Sequence, residues 1–319
     1  MPSLRCTQKT DLEQINLILS KSFTHARQKE GAARSRVPLC RPEFLQMYLA
    51  ANPGGSFVLE KEHRIIAYCF SRLWGKVGWI GPLSVLPAEQ GQGLGKRIVL
   101  AAVEHLIGQG ATTIGLELAA ESNKNLAFYT RLGFIPQMLT VDLIRDVPQC
   151  TETVPSEWEI SRYTATSAEG RVRFLRAAQA LATDVQPGLD YRTEMDLTEK
   201  FRFGDALLVE RSGRALAFVL AHTETYSQEE ERLFLKVNAL QLAPREDMRT
   251  LDALIRLVSN WASEVGLRGI YLRAYTRYFA AYKWLLSKGF RAVHNELRMT
   301  LDGYDQLDDP TAVNFNKWE

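Results

Sequence analysis

The residues best placed to do chemistry lie between Leu83 and Lys96, in the run L-S-V-L-P-A-E-Q-G-Q-G-L-G-K. An apolar, β-branched stretch ending at Pro87 reads as a strand. Gly91, Gly93 and Gly95 then stand at alternate positions, and Arg97 to Leu106 carries apolar residues at helical spacing. A glycine-rich turn that opens a helix is an anion site. Glycine lets main-chain N–H groups approach a ligand, and the amides of a helix's first turn have no partner within the helix. Lys96 adds a full charge at the mouth, so the expected occupant is phosphorylated.

Three kinds of phosphate loop carry glycines in such a turn. A Walker loop requires Ser or Thr after its lysine and glycine at its first position; here Arg97 and Gln90 stand there. A dinucleotide fingerprint fits Gly91 and Gly93 but meets Lys96 at its third glycine, and it belongs at the first strand of a domain, whereas roughly eighty residues precede this loop. The pattern Q/R-x-x-G-x-G/A is met in full by Gln90, Gly93 and Gly95. A second motif follows: Glu121-Ser122-Asn123-Lys124-Asn125-Leu126-Ala127-Phe128-Tyr129-Thr130-Arg131-Leu132-Gly133-Phe134, with Tyr129 lying 39 residues beyond Gln90. That interval accommodates one helix, one strand and a turn. The two motifs together resemble the GCN5-related N-acetyltransferase (GNAT) superfamily.

The resemblance implies direct transfer of an acetyl group from acetyl-CoA to an amine, with no metal. It gives the N–H of Leu83 the task of polarising the thioester carbonyl. Ser84 and Val85 lie along the pantetheine arm, and Gln90, Gly91, Gln92, Gly93, Leu94, Gly95 and Lys96 hold the pyrophosphate. Asn123 or Asn125, with Ser122 and Phe128 beside them, meets the pantetheine or phosphate region; Ser122 stands where the family usually has Asn. Tyr129 becomes the general acid for the departing thiolate. The base is open. Trp79 occupies the strand position where some relatives carry Glu, which leaves Glu117, Glu60 and His63 as candidates, or a water chain; His105 reads as structural. The acceptor side falls on Phe23 to Tyr48, with the basic stretch His25 to Arg36, and on Phe70, Trp74 and Trp79. The alternative is a non-catalytic acyl-CoA-binding or regulatory module.

The elements that must position these residues follow from periodicity. A strand is expected near Leu4–Cys6, helices over 11–19 and 42–50, and strands over 57–60, 65–73 and 77–86. The loop and its helix run to Ile107. A strand over 113–118, a short helix over 123–132 and closing strands over 135–145 complete the unit. The class is α/β (α+β), a mixed, mostly antiparallel sheet flanked by helices and splayed after Pro87, with Pro82 marking a bulge.

The unit recurs. Val58-Leu59-Glu60-Lys61 returns as Leu208-Val209-Glu210-Arg211, Leu83 to Pro87 as Leu240 to Pro244, and Leu132-Gly133-Phe134 as Lys288-Gly289-Phe290 at a shift of 156. Two tandem domains are expected: 1–147, the working one, and 157–303, a degenerate copy, with a linker over 148–156 and a tail over 304–319. In the second copy Asp247, Thr250 and Asp252 replace Gln90, Gly93 and Gly95, and Leu285 replaces Tyr129. Acids in place of glycines repel a pyrophosphate and bar close backbone approach.

Composition sets the outer limits. The chain has 319 residues, 46% hydrophobic and 24% charged, with a net charge of +2. That length suits two cores. The charge excludes a strongly basic nucleic-acid surface, no apolar run is long enough for a membrane span, and no signal-peptide core opens the chain. Four scattered cysteines fit no zinc pattern and read as reduced thiols. A cytoplasmic monomer is expected, acting on a small-molecule or peptide amine.

Overall fold

The computed structural model describes residues 2–29, 36–147 and 151–317. It has the expected mixed α/β class. β1 (Ser3–Cys6) pairs antiparallel with β2 (Phe57–Lys61). Between them lie α1 (Leu12–Lys29) and α2 (Pro42–Ala51). Helix α1 runs a full ten residues past the expected end at Leu19. Ser20, Ser22 and Thr24 look like breakers because their hydroxyls compete for backbone groups. Here the Ser20 hydroxyl donates to the Val37 carbonyl at 2.5 Å, and the Thr24 oxygen accepts from the Val37 N–H at 2.9 Å. These hydroxyls hold the returning chain instead of ending the helix.

β2 turns through Glu62 and His63, both at positive φ, into β3 (Arg64–Trp74). β4 (Val77–Val85) returns antiparallel, with a register shift opposite Gly81 and Pro82, the bulge that Pro82 signals. α3 (Leu94–Gly108) crosses the sheet and buries Ile98, Val99, Ala102 and Leu106 against it. β5 (Thr113–Ala119) then joins β4 in parallel, but only over Val77–Trp79 with Thr113–Gly115. Beyond Trp79 the two strands part. α4 (Asn123–Thr130) and β6 (Phe134–Asp146) follow; the closing strands expected over 135–145 are this single strand.

The second copy repeats the order. It consists of β7 (Glu159–Arg162), α5 (Ala168–Val185), α6 (Arg192–Lys200), β8 (Gly204–Arg211), β9 (Arg214–His222), β10 (Phe234–Leu242), α7 (Met248–Glu264), β11 (Gly269–Tyr275), α8 (Phe279–Ser287) and β12 (Arg291–Leu301). A further strand, β13 (Val313–Asn316), lies in what the sequence presents as a tail. The bulge recurs between Val237 and Ala239. Of the linker, residues 148–150 lie outside the described residues. The Glu152 amide bonds the Asn260 side chain and its carbonyl accepts from the same side chain, so this stretch is fastened to α7.

Among the described residues the strands form one sheet in the order β1-β2-β3-β4-β5-β12-β6-β11-β10-β9-β8-β7, with β13 beside β10. The sixth strands are exchanged. β12 of the second copy lies against β5 of the first, and β6 of the first lies against β11 of the second, with β6 and β12 paired to each other at the centre. The sheet curls far enough for Gly75, at the end of β3, to bridge Leu189, ahead of α6. Trp74, Val77 and Trp79 of the first copy share a core with Phe174, Leu181 and Phe218 of the second.

Candidate acyl-transfer site

Gly93 caps α3 at φ 77° and Gly91 precedes it at φ 83°. This left-handed conformation strains any residue with a Cβ. A Cβ at either position would meet nothing within 4 Å, so the main chain faces open space. Gly95 is needed for packing: its Cβ would lie 3.3 Å from the Phe128 ring, so its absence seats α4 on the first turn of α3. The Gln90 side chain donates to the Val85 carbonyl at 3.1 Å and accepts from Lys124 at 2.9 Å. Loop, strand end and α4 thus converge. Lys96 and Gln92 are exposed, and Leu94 is buried beneath the turn.

Past Trp79, β4 loses β5 as a neighbour, so the edge carrying Leu83, Ser84 and Val85 has no strand beside it among the described residues. Leu83 and Val85 are half-buried and Ser84 is buried. Gly81, at φ 136°, has open space where a Cβ would project. Tyr129 packs its ring against Phe128 and Phe134, with centroids 4.9 and 5.8 Å apart. Burial pushes its phenol above the usual range, and the nearby Cys69 thiol adds to this. Cys69, opposite Leu83 in the ladder, is itself raised to about 12 by burial. Both groups hold their protons at neutral pH, and the Tyr129 hydroxyl is a donor rather than an acceptor of a proton there. From α4, Ser122 is buried at the helix start, while Asn123 and Asn125 are exposed.

The structure does not leave Glu117 available as a base. Its carboxylate lies 2.6 Å from Arg273 and 2.9 Å from Arg298, and accepts from the Thr140 hydroxyl at 2.9 Å. Burial opposes its charge, but Arg298 and Arg273 outweigh burial and hold its carboxyl below the ordinary range. A carboxylate gripped by two guanidiniums is a poor proton acceptor. Glu60 is bound to Arg5 at 2.7 Å, His63 stands in solvent at the hairpin tip, and His105 lies 3.4 Å from Asn52.

On the acceptor side, residues 30–35 of the basic stretch lie outside the described residues. Phe70, Trp74 and Trp79 are buried. Trp74 donates to Glu194 at 3.0 Å, and the Trp79 indole lies on Gly115, whose Cβ would be only 2.2 Å from it. The Arg298 guanidinium covers Trp79 at 4.7 Å from the ring centroid. A cavity of about 20 Å³ lies among Arg72, Glu194, His222 and Asn238, room for a water or two rather than an acceptor.

The second copy presents the same framework filled by its own chain. β10 and β11 pair in parallel over Phe234–Val237 and then part, as β4 and β5 do. Into that gap β13 inserts, antiparallel to β10, with Leu240 opposite Phe315, Gln241 opposite Asn314 and Leu242 opposite Val313. Those three β10 residues correspond to Leu83, Ser84 and Val85. At the head of α7 the Asp247 carboxylate accepts from the amides of Arg249 and Thr250 at 3.0 and 2.9 Å. A protein strand and a protein carboxylate stand where the first copy, among the described residues, has no strand beside β4 and no side-chain cap on α3. Sequence reading missed this plug, although V-N-F-N has the alternation of a strand.

Residues 13–134 match the model of the acetyltransferase (GNAT) family. Over 86 residues the chain is 33% identical to the mycothiol acetyltransferase of Streptomyces coelicolor, covering 26% of this chain and 28% of that protein. It is 30% identical over 135 residues to the mycothiol acetyltransferase of a Nocardioides species, covering 39% and 46%. The chain thus spans only 28% of the length of the first of these relatives. Among solved structures, a GCN5-related N-acetyltransferase from Sphaerobacter thermophilus superposes with TM-score 0.62 at 16% identity, covering 97% of this chain and 98% of the other. A tandem GNAT protein from the clavulanic acid biosynthesis pathway does so with TM-score 0.61 at 12% identity, covering 94% and 98%. At such identities these likenesses speak for the fold alone. With its glycine loop, its parted strands and the match over 13–134, the first copy is similar to the acetyltransferase (GNAT) family, and the chain as a whole has the fold of two tandem copies of one unit.

Proposed function

We propose that this chain transfers the acetyl group of acetyl-CoA to an amine, and that the first copy does the work. One observation carries the reading: the glycine loop at the α3 N-terminus adjoins the edge of β4 that has no strand beside it among the described residues, and α4, which carries Tyr129, packs on the same helix tip. When bound, acetyl-CoA supplies the activated acyl group. Gly91 to Lys96 present amides and charge to its pyrophosphate, and Leu83 to Val85 offer a strand edge to its pantetheine arm. The Leu83 N–H is the donor for developing oxyanion charge. Tyr129 holds a proton for the departing sulfur. Ser122, Asn123, Asn125 and Phe128 form the α4 wall of the site.

The second copy supports the assignment from inside the same chain. Its equivalent gap accepts an extended strand by main-chain pairing, and its equivalent helix tip accepts an anion. The relatives named mycothiol acetyltransferases agree with acetyl transfer. With Glu117 committed elsewhere and Trp79 at the other strand position, the amine reaches the site neutral or loses its proton to solvent. That same commitment of Glu117 favours the second reading, an acyl-CoA-binding module without turnover.

A panel of amines with thiol release as readout, run beside titration calorimetry, tests both. Acetyl transfer predicts one acetyl-CoA per chain and thiol release with at least one amine class. Binding without release on any amine gives the second reading. Two equivalent sites per chain overturn the assignment of the second copy as filled.

A further inference from the structure

The centre of the sheet is a pseudo-twofold seam. Thr140 of β6 pairs with Glu296 of β12, and these positions are equivalent under the 156-residue repeat. Glu117 and Arg273 are equivalent in the same way, as are Asp142 and Arg298. In the ladder Glu117 stands opposite Arg298, and Asp142 opposite Arg273. The two pairs are thus images of each other with their charges reversed. The Arg298 Nη2 to Glu117 contact is 2.9 Å, and Arg273 Nε donates to Asp142 at 2.6 Å. The flanking contacts repeat too, since Thr140 bonds Glu117 and Glu296 bonds Arg273. All four charged residues are almost fully buried.

We propose that this seam is a partner code: its inverted charges make the first copy complementary to the second and repulsive to another first copy. The first copy presents two acids, Glu117 and Asp142, and the second two guanidiniums, Arg273 and Arg298. Two first copies meeting through the same exchanged strands would place Glu117 against Asp142. Two second copies would place Arg273 against Arg298. Like charges buried without a partner are strongly unfavourable, and a contact that rejects wrong partners needs such a repulsive element. The linker then supplies the right partner at high effective concentration. Glu296, His294, Lys317 and Tyr271 face the same cluster; Lys317 lies 3.7 Å from Asp142, and His294 3.5 Å from Glu296.

The test uses two full-length variants, E117R/D142R, which makes both first-copy positions cationic, and R273E/R298E, which makes both second-copy positions acidic. Each alone has a like-charged seam and is expected to lose the wild-type melting transition. Co-expressed, with one tagged, they are expected to be captured as a one-to-one complex visible by native mass spectrometry. The cationic first copy of one meets the acidic second copy of the other, and the remaining two copies keep native polarity. The quadruple variant E117R/D142R/R273E/R298E is expected to regain a compact single chain. The proposal is overturned by a double variant that keeps the wild-type melt, by co-expressed chains that do not associate, or by a quadruple variant no more stable than the doubles.

Discussion

Tyr129 and Glu117 exchange weight between sequence and structure. Tyr129 is a protonated phenol at neutral pH, and burial, with Cys69 beside it, raises it further. Replacing it with Phe keeps the ring packing against Phe128 and Phe134 and removes only the donor. Turnover is expected to fall about 100-fold with acetyl-CoA affinity unchanged, measured by thiol release and calorimetry. Glu117 is a carboxylate on a strand at the expected depth, which is all that its immediate neighbours convey. Its fate is decided by Arg273 and Arg298, 156 and 181 positions away. Glu117→Gln strips a buried ion cluster of one charge and is expected to cost about 3–5 kcal/mol in urea unfolding, since two buried guanidiniums lose the carboxylate they share.

Helices and loops were legible because their signals are local. The glycine loop, α3, α4 and the hairpins are encoded in runs of a few residues, and the bulge follows from Pro82 having no N–H. What was not legible is pairing between distant strands. Nothing within β6 or β12 says that each will lie beside the other copy's fifth strand, and periodicity alone could not place Val313–Asn316 in a gap beside β10. The plug makes two outcomes measurable. Phe315 is buried against Tyr275 and Tyr278, so Phe315→Ala is expected to cost about 3–5 kcal/mol by chemical denaturation. Gln90→Asp gives the first copy the acid that stands at the aligned position in the second. A carboxylate beside the loop that faces the pyrophosphate repels it, and acetyl-CoA affinity is expected to drop about tenfold by calorimetry.

Across the molecule, buried charge ties stability to pH. His222 lies between the Asn238 amide, at 3.0 Å, and Thr198. Burial lowers its pKa to about 3, with the Arg72 and Lys236 charges adding to this against Glu194. The unfolded chain's imidazole takes up a proton near pH 6.5 while the folded one stays neutral. Stability from this group is therefore complete above pH 6.5 and declines as pH falls toward 3, by about 1.4 kcal/mol per pH unit. Glu117, Asp142 and Glu194 have carboxyls held below their ordinary values, Asp142 by Lys317 and Arg273 and Glu194 by Arg72, each against the opposing effect of burial. Their contribution is present above about pH 4.5 and is lost below it. Urea unfolding at pH 7.5, 6.5 and 5.5 should show the first decline, and His222→Asn should flatten it.

The exchange of β6 and β12 also separates covalent from physical continuity. A protease that severed the chain between Thr151 and Glu157 would cut one backbone, yet each fragment would still be threaded through the other's sheet by a central strand. The nicked product would migrate as a single body until denaturant pulled the halves apart, so the peptide bond joining them governs how quickly they find each other rather than whether they stay together.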